Sequence, residues 1–406
     1  MLKYARSLVS ISAIFLVGLA SAALAADSPQ FRGPDRSGIF PAEGLLASWP
    51  EAGPTKLWTA AGLGMGFASV SVADGRIYTT GMADGKGSVF ALDTHGKRQW
   101  TADYGAVHDG GGYPGTRTTP TYHDGMLYIL TSLGKAMALD AKTGETRWEV
   151  DLVRTYRGRN IRWGFTESPL VVDDKVVYTP GNTSTVIALD RKTGELAWST
   201  SGLRDMSAYC SPRLFDDGKR RQIVTMVQRH MVGIDPADGG ILWQQDYPGR
   251  WDIHAVSPVF EGSLIYVSDG YGQGGKMFEL AADGKSVKLV WEDSDLDIHH
   301  GGAVMTGGRI YGAADNGTWY ALDAKTGEVQ GEIRRLGKGS VVYADGRLYG
   351  YTERGDVLLV DPVSFEVVGR FKNTDGDGQH WSHPVIADGV LYLRHGDTLT
   401  AFDLKQ

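Results

Sequence analysis

The sequence predicts an all-β chain: an eight-bladed β-propeller of four-stranded antiparallel blades, its ring closed by an N-terminal strand. Three observations predict it. The block Ala138-Leu139-Asp140 … Thr143-Gly144-Glu145 … Trp148 recurs at Ala188-Leu189-Asp190 … Trp198 and Ala321-Leu322-Asp323 … Glu328, with weaker copies around Asp93 and Asp235. With the Asp as a ruler, marks fall at 93, 140, 190, 235, 281 (where Ala281 replaces it), 323, 361 and 403, so eight units follow one another at the length of a four-stranded blade. The eighth unit stops just past Asp403 without its Trp strand, whereas Lys56-Leu57-Trp58-Thr59-Ala60 is a Trp strand without a beginning. Joining the two removes an open sheet edge.

Each part of the unit has a physical reason. The apolar residues before the Asp form a strand, the carboxylate caps the amides of the following turn, and the Gly takes the positive φ that turn needs. The Trp starts the next strand and offers a flat surface to a neighbouring unit. Asp74-Gly75, Asp124-Gly125, Asp345-Gly346 and Asp388-Gly389 mark tight hairpins between the first and second strands.

In chain order, residues 1–25 read as a signal peptide: Lys3 and Arg6, an apolar run from Leu8 to Ala20, then Ala23-Leu24-Ala25 before the cut. The run is too short and too rich in small residues for a membrane span. No Cys lies near the cut for a lipid anchor, so the mature chain is expected to be soluble, periplasmic or secreted, and without a transmembrane segment. Loss of two basic residues takes the formal net charge from −7 to −9. With no basic tract, nucleic acid is not an expected partner. Cys210 is the single cysteine, which rules out an internal disulfide and a C-x-x-C-H haem attachment. Residues 26–54 carry Phe31-Arg32-Gly33-Pro34 and Trp49-Pro50, and are expected to form an extended arm on the surface of the propeller, which spans 55–406. A monomer is expected.

The segment leading into each innermost strand faces one mouth of the channel. Aligning these segments collects Arg117 in the second unit, Arg162, Trp163 and Glu167 in the third, and Tyr209 and Cys210 in the fourth. The fifth has Trp251, Asp252 and His254, the sixth His299 and His300, the seventh Lys338, and the eighth His380, Trp381 and His383. Convergent polar and aromatic groups in a concavity point to a binding site. The His residues and Lys338 of units six to eight are expected to form a cationic arc whose hold on an anion strengthens below the usual His pKa of about 6.5. Glu167 is the candidate catalytic carboxylate, with a salt bridge to Arg117 or Arg162 as the structural alternative. Single His residues read equally as loop hydrogen-bonders, Trp163 and Trp381 as packing residues, and Cys210 as a small buried side chain. No metal site is expected, since adjacent His residues in a strand point to opposite faces, with a transition metal on His254, His299 and His383 as the alternative that ligand chemistry leaves open.

The A-x-D-x-x-T-G-x-x-x-W repeat resembles that of the pyrroloquinoline-quinone-like propellers, the eight-bladed fold of quinoprotein alcohol dehydrogenases. The propeller subunit of the outer-membrane β-barrel assembly machinery carries a similar repeat. Phe31-Arg32-Gly33-Pro34, Arg162-Trp163-Gly164-Phe165-Thr166-Glu167-Ser168-Pro169, His299-His300-Gly301-Gly302, Gly337-Lys338-Gly339-Ser340 and Trp381-Ser382-His383-Pro384 look like stretches of exported bacterial propellers of this group. The resemblance implies three readings. In a dehydrogenase, calcium and the quinone (PQQ) sit on the channel axis, with Glu167 as base or calcium ligand, Trp163 or Trp381 stacked on the quinone, and Arg117 or Lys338 on its carboxylates. The vicinal Cys pair of those enzymes is absent. In a scaffold, blade-edge loops grip a periplasmic protein partner. In the reading preferred here, the mouth binds a small polar or anionic, sugar-like ligand without quinone turnover, through Arg117, Arg162, Trp163, His254, His299, His300, Lys338, His380, Trp381 and His383.

Overall fold

A computed structural model describes residues 27–108, 110–251 and 253–405; the expected signal peptide and Asp252 lie outside the described residues. Eight sheets of four antiparallel strands form the ring, and the seventh gains a fifth strand, Ile39–Phe40. In each blade the first strand is innermost, from Ser71–Ala73 in the first to Val385–Ala387 in the eighth. The Asp-Gly hairpins adopt the doubly left-handed turn that matches strand twist: φ is 53° and 68° at Asp74-Gly75 and 48° and 74° at Asp388-Gly389.

The repeated turn is built from its own side chains. Asp140 Oδ1 accepts from the amides of Lys142 and Thr143, both at 2.9 Å. The Gly of this turn then serves the neighbouring blade. Trp100 lies so close over Gly144 that a Cβ there would stand 2.6 Å from the indole, and Trp100 Nε1 donates to Ala141 O at 3.2 Å. Trp148 repeats this on Gly194, Trp198 on Gly239 and Trp291 on Gly327. Thus Trp and Gly recur together because these Trp residues dock on the next blade's Gly; Trp243 departs from the rule and packs against Gly233 of its own blade.

Ring closure follows the same rule. Thr55–Ala60 pairs antiparallel with Thr398–Asp403 and completes the eighth blade. Trp58 then sits on Gly96 of the first blade and donates Nε1 to Thr94 O at 2.9 Å. Between blades lie apolar seams, such as Val89 and Ala91 of the first against Leu127 and Ile129 of the second.

The arm corrects the expectation of a surface segment: its first part runs inside the channel. Ser28 pairs with Val72, the Pro29 carbonyl takes the Tyr122 amide, and Ile39–Phe40 lies parallel to the innermost strand of the seventh blade. Two arginines of the arm are almost fully buried, Arg32 at 2% and Arg36 at 1% exposure. Arg36 Nη1 donates to Ser168 O at 2.8 Å and Pro212 O at 2.9 Å, while Nη2 reaches Pro169 O and Thr121 Oγ1, which ties blades two, three and four. Arg32 bonds Ala303 O at 2.5 Å, Val341 O at 3.3 Å and His383 Nδ1 at 2.9 Å, which ties blades six, seven and eight. Carbonyls at a channel axis have no strand partner, and a guanidinium with five donors meets several at once. The arm leaves along blades seven and eight, where Trp49 packs against Tyr349 and Phe371.

Candidate functional site

In each antiparallel blade, the segment leading into the first strand and the turn between the second and third strands end at the same mouth. Above the arm these segments enclose a cavity of about 560 Å³. Phe31 of the arm, Ser168 and Ser211 contribute to it from the channel side. Its wall is largely aromatic. Phe67 and Tyr113 contact Trp381, Trp381 contacts His300, His300 contacts His299, and Tyr271 links His299 to Trp251. Across the cavity Trp163 meets Tyr209 edge to face.

Of the residues expected at a site, the cavity brings together Arg117, Arg162, Trp163, His299, His300, Lys338, Trp381 and His383. His299 and His300 both reach it because they lie in a bend, not in a strand with its alternating faces. Glu167, His254 and His380 do not line it. Glu167 is buried below, its Oε1 accepting from the Thr179 amide at 2.6 Å. Burial pushes its carboxyl up to about 7 against the opposing pull of the Thr179 amide and of Arg36. His254 is fully buried, with Nε2 donating to Gln228 O at 2.9 Å and Nδ1 3.3 Å from Asp269 Oδ2. His380 turns outward, stacked on His395 at 3.5 Å between ring centroids. Cys210 is a buried side chain in the apolar seam of the fourth blade, its thiol pushed up to about 11 by burial.

The expected cationic histidine arc is also corrected. Burial, with the charges of His300 and Lys338, lowers His299 to about 4, and burial with Arg32 holds His383 well below the usual His range. The Arg32 guanidinium only donates, so His383 Nδ1 carries a lone pair and Nε2–H donates to His300 O at 3.1 Å. These rings are neutral positioning elements. Positive charge at the cavity resides on Arg117, which lies 5.3 Å over the Phe67 ring, on Arg162 at 5.3 Å over Trp163, and on Lys338. Lys338 Nζ is 2.9 Å from Asp315 and 3.6 Å from Glu353, and Glu353 Oε1 also takes His300 Nε2 at 2.8 Å and Trp381 Nε1 at 2.7 Å. Although burial raises the Glu353 carboxyl, its bond to His300 and the nearby Lys338 bring it below its ordinary value.

Sequence reasoning missed Phe67, Tyr271, Asp269, Asp315 and Glu353. Phe67 leads into the first innermost strand, in the one unit left out of the alignment. The other four occupy turns between second and third strands, whose lengths differ from blade to blade and which share no motif.

A family profile described as outer membrane protein assembly factor BamB matches residues 42–162 and 85–332. A quinohemoprotein alcohol dehydrogenase, ADH-IIG of Pseudomonas putida, is 27% identical over 209 residues, half of this chain and 27% of that enzyme, so the match spans about a quarter of its length. Among solved structures, BamB of Moraxella catarrhalis aligns over 87% of this chain and 99% of its own, with a TM-score of 0.64 and 18% identity. A europium-containing methanol dehydrogenase aligns over 91% and 90%, with a TM-score of 0.72 and 13% identity. At such identities these two likenesses concern the fold.

Proposed function

The chain belongs to the PQQ-like propeller family whose profile is described as outer membrane protein assembly factor BamB, and we propose that it is an exported member that binds a ring-bearing polar anion, such as an acidic sugar, at the mouth of its channel without quinone turnover. One observation carries this reading. A cavity of about 560 Å³, within the usual range for small-molecule pockets, combines flat indole and phenol walls with Arg117, Arg162 and Lys338 at its margin. Aromatic faces hold sugar rings or flat rings, and guanidinium groups hold carboxylates. The cavity is blind, because the arm and its arginines fill the channel beneath it.

The quinone–calcium pair of the related dehydrogenases does not fit these residues. Calcium requires six to eight oxygen ligands. Asp269 is, among the described residues, the one carboxylate residue at the cavity wall, it faces His254, and Glu167 lies below. Among the described residues, no three His, Cys, Asp or Glu side chains stand together as a metal set. Periplasmic placement rests on the leader-like residues 1–25, and among the described residues no helix is long and apolar enough to cross a membrane.

The test is calorimetric titration at pH 7 with the uronic-acid disaccharide digalacturonate, neutral maltose, and PQQ with calcium, alongside dye-linked oxidation assays. Saturable binding of digalacturonate, lost in Trp163→Ala at unchanged melting temperature, supports the reading. Tight calcium-dependent uptake of PQQ with dye reduction overturns it.

A further inference from the structure

The hydrogen bonds on one wall of the cavity have a fixed direction. Lys338 Nζ lies 3.0 Å from His299 Nδ1, and an ammonium group only donates, so Nδ1 carries the lone pair. Asp315 Oδ1, 2.9 Å from the same ammonium and 3.6 Å from Nδ1, keeps the lysine in place without taking a proton from the ring. The ring proton then resides on Nε2, which lies 2.7 Å from Tyr271 Oη. The phenol oxygen accepts that bond, and its own proton must rotate elsewhere. Among the described residues no other partner meets this hydroxyl, and Tyr271 lines the cavity.

The backbone is specialised to hold that ring. Tyr271 takes φ 67°, a conformation that a side-chain-bearing residue adopts at a cost and that persists where its surroundings impose it. The surroundings are Asp297, whose carboxylate accepts from the amides of Gly272 and Gly274 at 2.9 and 3.0 Å. Gly270 completes the turn, since a Cβ there would stand 2.8 Å from the His299 backbone. The phenol and the imidazole are thereby packed edge to face at 4.7 Å.

We propose that Tyr271 is the specificity-determining donor of the mouth, its hydroxyl proton aimed into the cavity by the relay Lys338–His299–Tyr271, so that the ligand must present an acceptor oxygen, a carboxylate or carbonyl, at this point. This rests on the reading of the mouth as a ligand site and names which ligand atom it selects. A ligand offering only a donor there, such as an ammonium group, would leave the hydroxyl proton facing another proton. Lys338 and His299 are positioning residues that act through the phenol.

Two readouts keep this inference separate from the existence of the site. The first is nitrogen-15 NMR of the free protein at pH 7, which reports the His299 tautomer. Protonated Nε2 and unprotonated Nδ1 are expected, with reversal in Lys338→Met; an Nδ1–H tautomer in the wild type overturns the relay whatever binds. The second is titration with digalacturonate. Tyr271→Phe is expected to weaken binding about tenfold, the worth of one hydrogen bond to a charged acceptor. His299→Gln, whose amide can accept from Lys338 and donate to Tyr271, is expected to retain most of the affinity, and His299→Leu to behave like Tyr271→Phe. Equal affinity in wild type and Tyr271→Phe, with the expected tautomer, overturns the donor role while leaving the ligand site standing. Absence of digalacturonate binding to the wild type, with Tyr271→Phe and wild type also equal toward acetate and galactose, overturns both.

Discussion

Glu167 Oε1 receives the Thr179 amide at 2.6 Å, and its other oxygen has no hydrogen-bond partner among the described residues. A carboxyl so placed in a buried site favours its neutral form, and burial lifts it from 4.5 to about 7. The sign follows directly. The fold binds a proton that the unfolded chain releases, so Glu167 contributes most below pH 4.5 and that contribution is lost as pH rises through 7. Glu167→Gln is expected to stabilise the protein at pH 8, by on the order of 3 kcal/mol in urea unfolding, but not at pH 4. Equal shifts at both pH values would contradict a titrating role.

Arg36 joins blades three and four through the backbone carbonyls of Ser168, Pro169 and Pro212, and blade two through Thr121 Oγ1. Arg36→Ala strands the Ser168 and Pro212 carbonyls and leaves Pro169 O to the Thr121 hydroxyl alone, and a loss of about 3–5 kcal/mol is expected in urea unfolding. Arg36→Lys should restore little, because one ammonium group cannot span carbonyls from separate blades. Full rescue by lysine would show that charge, not the fork, matters.

Trp58 closes the ring by repeating on Gly96 the contact made elsewhere by Trp100 on Gly144. Gly96→Ala is expected to destabilise the protein by about 1–3 kcal/mol, both from its left-handed φ of 80° and from collision with the indole. Deletion of residues 27–60 exposes the edge of Thr398–Asp403 and empties the channel, and aggregation is the expected result in light scattering. A soluble monomer after that deletion would contradict closure by this strand.

His299 and His380 are lowered from 6.5 to about 4, and His383 well below 6.5, in each case chiefly by burial. Between these limits the unfolded chain binds protons that the fold refuses, so their contribution is present above pH 6.5 and lost as pH falls toward 4. Glu167 acts in the opposite direction over part of this range, with Asp27 and Asp293, whose carboxyls burial also raises. The lowered carboxyls of Asp140, Asp190, Asp323 and Glu353 add to the histidine side. Thermal stability is therefore expected to fall on acidification from pH 6.5 to 4, as read by scanning calorimetry.

The ring was legible in the sequence because its parts are local. An Asp that caps its own turn, a Gly with positive φ and a Trp at fixed spacing define each unit without reference to distant residues, and even the displaced Trp58 strand was readable as a missing piece. The arm was not. Arg32 and Arg36 beside Gly33 and Pro34 look like a surface loop, and only the assembled ring shows a column of unpaired carbonyls waiting for guanidinium groups. The site was half legible for a similar reason. Lead-in residues such as Trp163, Lys338 and Trp381 align with the innermost strands. Tyr271, Asp315 and Glu353 lie on turns of unequal length, so their approach to one another is a property of closure and has no spacing in the chain. Glu167 and His254 share the register of the lead-ins but turn below the cavity, a choice of side-chain direction that register alone does not fix.

The most direct test is calorimetric titration of the mature protein with digalacturonate and with maltose at pH 7, repeated on Trp163→Ala and Tyr271→Phe variants of unchanged melting temperature. The account predicts saturable one-site binding of the acidic disaccharide, weaker binding of the neutral one, loss in Trp163→Ala and about tenfold weakening in Tyr271→Phe. No preference for the acidic disaccharide, or undiminished binding in both variants, would contradict the assignment of the mouth as an anion-selective ligand site.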